Sequence, residues 1–233
     1  MAISSDAKYE RPWECRMPAF RVAGELYFVG NTSGASWLLN TPEGPVLFDT
    51  NYPTLASLLL DSIREAGFRP ESIAAIFHTH GHYDHTQAND AVREKTGAPL
   101  AIHTDAAELL AVPEKVSGRM MVRANPCKAP EQLLHNGDII SFGKYQLQVI
   151  FTPGHTKGGC CFYEAGEKIC FTGDTLFRGG VGRTDLYGGN YGVLLHSIRD
   201  RLHKLPDDTV IYPGHGPEST MAFERKNNPF LKG

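Results

Sequence analysis

The sequence predicts an α/β (α+β) fold in which two β-sheets carry helices on their outer faces. The first half of the chain alternates short apolar segments with helix-like segments, whereas the second half is rich in strands. Two successive sets of strands and helices are typical of two sheets, each covered by helices on one side. No internal repeat or long linker interrupts the pattern. We therefore expect one domain over residues 20–233, preceded by an N-terminal extension over residues 1–19.

Six segments of the first half show the expected periodicities. Strands are predicted where apolar residues form short runs or alternate with polar ones, and helices where apolar residues recur every three or four positions. A turn sequence at 41–45 divides the second strand segment. The segments are a strand at Phe20–Val29, a broken strand at Ser36–Asp49, a helix at Tyr52–Gly67, a strand at Ile73–Phe77, a helix at Asp84–Thr96 and a strand at Ala98–His103.

The second half begins with an irregular segment and then becomes rich in strands. Gly118–Pro130 is predicted to lack regular structure, and its residues Met120, Met121 and Val122 are candidates for the lining of a surface groove. The segments that follow are strands at Ile139–Phe142, Tyr145–Phe151, Gly159–Tyr163 and Ile169–Thr172, a helix at Tyr191–Lys204 and a strand at Val210–Tyr212.

Charge and composition restrict the classes of partner. The 23 Lys and Arg residues are balanced by 26 Asp and Glu residues, so no basic surplus for nucleic-acid binding is present. No apolar run approaches the roughly 18 residues that span a bilayer, and the first residues lack the features of a signal peptide. The odd number of cysteines, without a Cys-x-x-Cys pair, indicates free thiols. We therefore expect a cytoplasmic protein that acts on a small molecule, without nucleic acid or membrane as partner.

A cluster of histidines follows the predicted strand Ile73–Phe77. Four histidines and one aspartate lie within the eight positions 78–85. His80 and His82 alternate in an extended loop, so both imidazoles can reach one ion. Asp84 and His85 lie at the start of the next helix, where a change of backbone direction points them at a second site. These positions predict a metal centre, since neutral imidazoles are poor core residues and a shared cation explains their proximity.

Asp84 also has a purely structural interpretation. An aspartate before a helix is a common N-cap, and Gln87 stands three positions later, as in a capping box. His78 has the wrong parity to join His80 and His82 in an extended loop. The capping interpretation accounts for one aspartate and for none of the histidines.

Three further turns each place one potential metal ligand directly after an apolar strand. His155 lies in the turn Thr152-Pro-Gly-His-Thr, and His215 lies in Tyr212-Pro-Gly-His-Gly. Asp174 follows Gly173, which allows a close approach of the backbone. Functional residues commonly lie on loops that a rigid sheet positions. The shared context of the three turns therefore makes each of them a candidate part of the metal centre.

The sequence His80-Gly-His82-Tyr-Asp84-His85, together with the three turns, resembles the His-x-His-x-Asp-His signature of the metallo-β-lactamase-fold superfamily. This resemblance extends from about Phe20 to Pro217 and implies a four-layer αββα sandwich of two mixed sheets. It implies two divalent metal ions, with zinc expected and iron or manganese as alternatives. One ion would be bound by His80, His82 and His155 and the other by Asp84, His85 and His215, with Asp174 bridging them and Asp49 supporting the metal loop through hydrogen bonds.

Two segments, 171–185 and 212–230, are similar to the short bacterial type II glyoxalase-like (hydroxyacylglutathione hydrolase-like) enzymes. This similarity implies hydrolysis of a thioester such as S-lactoylglutathione by hydroxide formed at the two ions. Asp84 would orient this nucleophile and accept its proton, which makes it the expected catalytic residue. Arg183 is the expected substrate-binding residue, because the longer glyoxalases carry a basic glutathione contact at its position.

Several other activities use the same motif. A persulfide dioxygenase with a single iron would use His80, His155 and Asp174, and imidazole and carboxylate suit zinc and iron(II) alike. The segment 32–44 is similar to the lactonase and β-lactamase branches. A nuclease is disfavoured by the absence of a basic patch, and a non-catalytic metal-binding module by the open positions of such a ligand set.

Overall fold

The structure is a computed structural model that describes residues 17–32, 34–117 and 124–232. The groove candidates Met120, Met121 and Val122, and residues 1–16 of the expected N-terminal extension, lie outside the described residues. Residues 124–130 have no regular secondary structure, as predicted for this segment.

A seven-stranded sheet contains the first half of the chain, and its strands follow one another in sequence order. The first four strands pair antiparallel and the last four pair parallel. They are β1 (Phe20–Ala23), β2 (Leu26–Phe28), β3 (Trp37–Leu39), β4 (Val46–Phe48), β5 (Ala75–His78), β6 (Leu100–His103) and β7 (Gln132–Leu134).

A six-stranded sheet contains the second half. Its strands are β8 (Ile139–Phe142), β9 (Tyr145–Phe151), β10 (Cys160–Glu164), β11 (Ile169–Gly173), β14 (Val210–Pro213) and β15 (Ser219–Thr220), and β12 (Leu176–Phe177) and β13 (Gly180–Val181) form a separate hairpin. The order in the sheet is β15-β14-β11-β10-β9-β8. Among these strands, β11 and β14 pair parallel, and the other neighbours pair antiparallel.

The two sheets pack face to face around an aromatic core. Side chains along a strand alternate between the two faces of a sheet. Phe48 of β4 accordingly meets Phe171 of β11 between the sheets, with stacked rings whose centroids are 3.9 Å apart. The neighbouring residue Leu47 faces the opposite side, where it belongs to the outer core of the first sheet.

Helices cover the outer faces of both sheets. Leu59 and Ile63 pack on the outer face of the first sheet, and Leu194 and Ile198 pack on that of the second. This arrangement confirms the predicted four-layer αββα sandwich. Within the described residues, none of the helices has the length and apolar character needed to cross a membrane. The helices are α1 (Ala56–Glu65), α2 (Tyr83–Thr86), α3 (Asn89–Thr96), α4 (Ala107–Ala111), α5 (Glu114–Ser117), α6 (Tyr191–Asp200) and α7 (Met221–Asn227).

The structure corrects two predicted elements. The strand predicted at Phe20–Val29 is the hairpin of β1 and β2. The helix predicted at Asp84–Thr96 is broken into α2 and α3. The break has a clear cause, because the carbonyl of His85 accepts from Thr50 N at 2.8 Å and Ala88 N donates to Asn51 O at 3.1 Å. These backbone groups form hydrogen bonds with the loop after β4, and they therefore do not form the hydrogen bonds that would continue the helix.

Candidate metal centre

The seven predicted ligands come together at one edge of the sandwich. The segment 79–82 follows β5, and Asp174 and His215 follow the parallel strands β11 and β14. Because the carboxyl ends of parallel strands meet at one edge of a sheet, strands far apart in sequence present their loops together. Among the described residues, the side chains form three overlapping groups, and within each group the ligand atoms lie within 4.8 Å of one another. The first group is His80, His82 and His155, the second group is Asp84, His85 and His215, and a third set, His80, His85 and Asp174, links the two.

The first group consists of three buried imidazoles with available lone pairs. His155 Nδ1 donates to the carbonyl of Arg183 at 2.7 Å, which leaves its Nε2 unprotonated in the neutral ring. Thr79 Oγ1 donates its proton to Asp49 and therefore accepts from His80 Nδ1 at 3.1 Å. The Nε2 atom of the neutral His80 ring is therefore also unprotonated. The Nε2 atoms of His80, His82 and His155 are buried and have no hydrogen-bond partner among the residues that the structure describes.

Burial keeps these three rings neutral. It holds the pKa of His80 well below the ordinary value and lowers the pKa of His155. It also lowers the pKa of His82 to about 3, with a further contribution from His155. Neutral imidazole is the form that binds a metal ion. These three rings can therefore bind a cation without first releasing protons.

Asp174 lies between the first group and the second. Its Oδ1 is 3.4 Å from His85 Nε2, and its Oδ2 is 3.4 Å from His155 Nε2 and 3.5 Å from His215 Nε2. Asp84 Oδ2 approaches His215 Nε2 at 3.4 Å. The carboxylate of Asp174 therefore faces both groups of imidazoles, as the bridging position requires.

The second group differs from the first in its charge. Burial alone lowers the pKa of His85 and His215, but Asp174 and Asp84 raise both pKa values above the ordinary one. Burial likewise raises the pKa of Asp84 and Asp174, and the neighbouring His85 and His215 reverse this effect and lower both. The carboxylates of Asp84 and Asp174 thus favour the protonated form of these two imidazoles, a positive charge that a bound cation would supply instead.

Asp49 contacts the metal loop at four points. Its Oδ1 accepts from Thr79 N at 2.9 Å and from His78 Nδ1 at 3.0 Å. Its Oδ2 accepts from Thr79 Oγ1 at 2.8 Å and from His85 Nδ1 at 2.9 Å, which directs His85 Nε2 toward Asp174. Burial raises the pKa of Asp49, but His85 and hydrogen bonds from His78 and His85 lower it well below the ordinary value. The ionised carboxylate is in position for the supporting role that the resemblance implies.

Gly214 permits the close approach of two loops. A Cβ atom at this position would lie 2.4 Å from Asp174 Oδ1 and 2.7 Å from His85 Cε1. At Gly173 the backbone has a φ of 47°, and a Cβ atom would lie 2.4 Å from Thr79 Oγ1. The close backbone approach predicted for Gly173 is therefore present, and Gly214 is a second such position.

The donor set fits divalent cations. Imidazole nitrogen and carboxylate oxygen are ligands that suit zinc, iron and manganese. Three buried nitrogens and Asp174 Oδ1 lack hydrogen-bond partners in the described part of the chain, which is costly for polar atoms without a ligand. The residues can thus bind a metal, whereas the choice of metal does not follow from the donors.

A cleft of about 350 Å³ opens onto the centre. Its wall combines predicted ligands with the apolar side chains of Phe177 and Leu186, the aromatic side chain of Tyr83 and the cationic side chain of Arg183. Arg183 is half exposed and forms two hydrogen bonds with Asp185, at 2.7 and 2.8 Å. Arg183 thus lines the cleft and is paired with Asp185, and its role as a substrate anchor stays a prediction.

Sequence reasoning missed two contributions to this site. The backbone carbonyl of Arg183 orients His155 and carries no sequence signal. Phe177 was not identified either, although its position three residues after Asp174 is a usable signal. The capping-box interpretation of Asp84 is wrong, because the N-cap of α2 is His82 and Gln87 bonds the backbone of Asn125 at 2.9 and 3.0 Å.

Comparison with known sequences identifies the family. A model of the Metallo-beta-lactamase superfamily matches residues 29–215. The probable metallo-hydrolase YqgX of Bacillus subtilis is 39% identical over 173 residues, which are 73% of this chain and 80% of that protein. The hydroxyacylglutathione hydrolase GloC of Haemophilus influenzae is 34% identical over 155 residues, which are 66% of this chain and 73% of that protein.

Solved structures agree with this result. The B3 metallo-beta-lactamase BLEG-1 superposes with a TM-score of 0.80 at 32% identity, over 89% of this chain and 100% of that chain. The protein TTHA1623, solved in a di-iron-bound form, superposes with a TM-score of 0.76 at 34% identity, over 87% and 97% of the two chains. The sequence match, the shared fold and the clustered histidines and aspartates lead to one conclusion: this chain belongs to the metallo-beta-lactamase superfamily.

Proposed function

We propose that the protein is a binuclear metal-dependent hydrolase that cleaves a thioester such as an S-acylglutathione. The observation that carries the proposal is the position of Asp174, whose two oxygens face two groups of imidazoles at the base of a cleft. The similarity to a hydroxyacylglutathione hydrolase supports the thioester as the substrate class. The reaction adds water across the C–S bond, so that the acyl group leaves as a carboxylic acid and the sulfur leaves as a thiol.

In this proposal the centre takes two divalent ions. His80, His82 and His155 would hold one ion, Asp84, His85 and His215 would hold the other, and Asp174 would contribute to both sites. Zinc is the expected metal, and the di-iron form of a related structure supports iron as an alternative. Such ions supply Lewis acidity toward an acyl carbonyl and lower the pKa of bound water.

The protein side chains supply orientation and proton transfer. Asp84 is ionised, because its imidazole neighbours outweigh the effect of burial on its pKa, and its carboxylate can accept a proton from the attacking water. Arg183 lines the cleft, and a substrate carboxylate would compete with Asp185 for its guanidinium. Phe177 and Leu186 provide an apolar wall for the acyl group.

The first prediction concerns Asp84. In Asp84→Asn, loss of the proton acceptor should lower kcat for S-lactoylglutathione by roughly 10²–10⁴-fold. Because Asp84 is also a proposed ligand, metal content is measured by elemental analysis beside the rate. Asp200→Asn is the control, since Asp200 lies at the exposed end of α6 and pairs with His196 at 2.8 Å. Equal rates for the two variants would contradict the role of Asp84.

Parallel assays separate this function from its alternatives. Zinc-loaded and iron-loaded protein are tested on S-acylglutathiones, lactones, β-lactams and phosphodiesters, and oxygen uptake is measured with glutathione persulfide. The proposal expects thioester hydrolysis to have the highest kcat/KM. Oxygen consumption in the absence of thioester hydrolysis would identify the protein as a dioxygenase and refute the proposal.

A further inference from the structure

The hairpin of β12 and β13, residues 176–181, contributes Phe177 to the wall of the cleft; we call it the cleft hairpin. It begins two residues after Asp174, and it carries Phe177, whose ring centroid is 6.2 Å from that of His215. Its strands have two residues each, and two residue pairs form its ladder. So short a ladder does not fix its own position, because even longer isolated hairpins are marginally stable. Contacts from other elements must therefore position it. At its start, Leu176 is buried in the outer core of the second sheet, and its carbonyl accepts from Thr172 Oγ1 at 2.8 Å.

Helix α7 and the residue after it provide the contacts at the turn, through the three residues of the chain that follow Phe177. The guanidinium of Arg178 lies over the ring of Phe223, 5.0 Å from the centroid. Gly179 N donates to Glu224 Oε2 at 3.0 Å. Asn228 Nδ2 donates to the carbonyl of Gly180 at 3.1 Å. The turn of the cleft hairpin thus contacts two successive residues of α7, Phe223 and Glu224, and Asn228, the residue that follows the helix.

Glu224 is the centre of this arrangement. The side chains of Glu224 and Asn228 are fully buried, and Asn228 Nδ2 also donates to Glu224 Oε2 at 2.7 Å. Ser219 Oγ donates to the other carboxylate oxygen. A buried carboxylate is costly unless it is hydrogen-bonded, so removal of Glu224 leaves the amide of Gly179 without its acceptor and releases the turn. Neither residue touches the metal centre.

We infer that Glu224 and Asn228 are positioning residues that set the acyl-group specificity of the proposed thioesterase. They fix the cleft hairpin and therefore the position of Phe177, the side chain that limits the space beside His215. The inference rests on the proposed function for its substrate, whereas the contacts that carry it are independent of that function. Loss of Glu224 should widen the cleft and favour larger acyl groups.

The test compares variants on S-acylglutathiones of increasing acyl size. Glu224→Ala should shift the ratio of kcat/KM for a bulky and a small acyl group about tenfold toward the bulky group. Glu224→Gln should restore most of the native ratio, because its carbonyl oxygen can still accept from Gly179 while its amide faces Ser219. Phe177→Ala should give the same shift, and the double variant should add little to it. The control Lys226→Ala changes an exposed residue of the same helix.

A second readout does not depend on activity. Hydrogen–deuterium exchange of the Gly179 amide should become about tenfold faster in Glu224→Ala, and should stay native in Glu224→Gln and Lys226→Ala. Unchanged exchange in Glu224→Ala, or a uniform fall of kcat/KM for all acyl sizes, would overturn the inference. If the native protein cleaves no thioester, the proposed function fails and the specificity inference fails with it. The exchange result then still establishes whether Glu224 holds the hairpin.

Discussion

Asp49 shows how one side chain organises the metal loop. Its two oxygens accept hydrogen bonds from Thr79 N, Thr79 Oγ1, His78 Nδ1 and His85 Nδ1. The residue adopts a φ of 59°, a left-handed conformation that aspartate tolerates better than most side chains. A carboxylate at the end of β4 therefore fixes both the loop after β5 and the first turn of α2.

Replacement of Asp49 should weaken both folding and metal binding. In Asp49→Ala the buried imidazoles and the Thr79 amide lose their acceptor, so the free energy of unfolding should fall by about 3–5 kcal/mol. Zinc affinity should fall about 10–100-fold, as expected when the support of a ligand is removed. Urea unfolding of the metal-free protein and a zinc titration measure the two effects.

The matched control is Asp61→Ala. Asp61 is exposed on α1 and pairs with Arg64, so its removal should change the free energy of unfolding by no more than about 0.5 kcal/mol. If Asp49→Ala behaves like this control, the network around Asp49 does not stabilise the loop.

The charges of the two ligand groups predict different proton release. His85 and His215 have raised pKa values and hold a proton more readily than free imidazole, whereas the lowered pKa values of His80, His82 and His155 favour neutral rings. A metal ion replaces the protons of the second group, so its affinity there should rise with pH and fall as the pH is lowered. The first group should show little pH dependence near neutrality.

Calorimetric zinc titrations in buffers of different ionisation enthalpy measure the released protons. The release should be concentrated in one of two binding events, and should decrease in Asp84→Asn because the pKa of His215 then falls. Binding heats that are the same in every buffer would contradict the assigned protonation states.

At the scale of single residues, the sequence predicted which side chains are candidate ligands, but it did not predict every contact that orients them. The spacing of residues 80–85 and the repeated turn context of His155 and His215 identified candidate ligands that the structure brings together. The carbonyl of Arg183 could not be predicted, since a backbone group has no residue identity. The assigned roles in metal binding and catalysis stay predictions.

At the scale of elements, the turn after β14 shows why a glycine is needed. Gly214 lies between the strand and His215, in contact with Asp174 and His85. Gly214→Ala should displace one of these side chains and lower zinc binding by at least about tenfold, while the far-UV circular dichroism stays native. Elemental analysis after dialysis against zinc measures the loss.

Gly192 provides the comparison for this variant. It lies in α6, and a Cβ atom there would be 3.6 Å from Asn190 Oδ1, an ordinary contact. Gly192→Ala should keep full zinc binding and stabilise the helix by up to about 1 kcal/mol. Native zinc binding in Gly214→Ala would show that the loops do not need this close approach.

The observed bounds of an element agree with the predicted ones only where the apolar pattern is long enough to define them. The strands at Ile139–Phe142 and Tyr145–Phe151 have the predicted bounds. The strands β12, β13 and β15 have two residues each and too little periodicity to detect. The break between α2 and α3 depends on bonds to Thr50 and Asn51, which are distant in sequence. Tertiary contacts, and not local propensity, therefore decided these elements.

At the scale of the whole molecule, the sandwich places one edge of each sheet beside the other. Phe48 and Phe171 stack between the sheets. Asp49 directly follows Phe48, and Asp174 lies three residues after Phe171. Packing of the aromatic core thereby sets the distance between ligands from the two halves of the chain. The fold class was predictable from alternating strands and helices, while the pairing of the two sheets followed only from the family resemblance.

The central claim is that the clustered side chains bind two divalent ions, and anomalous X-ray scattering tests it most directly. Crystals grown with zinc are measured on both sides of the zinc absorption edge. The account predicts two anomalous peaks, one among His80, His82 and His155 and the other among Asp84, His85 and His215, each about 2.0–2.2 Å from its nitrogen and oxygen ligands. A zinc-saturated crystal with no peak among these residues, or with peaks only elsewhere, would contradict it.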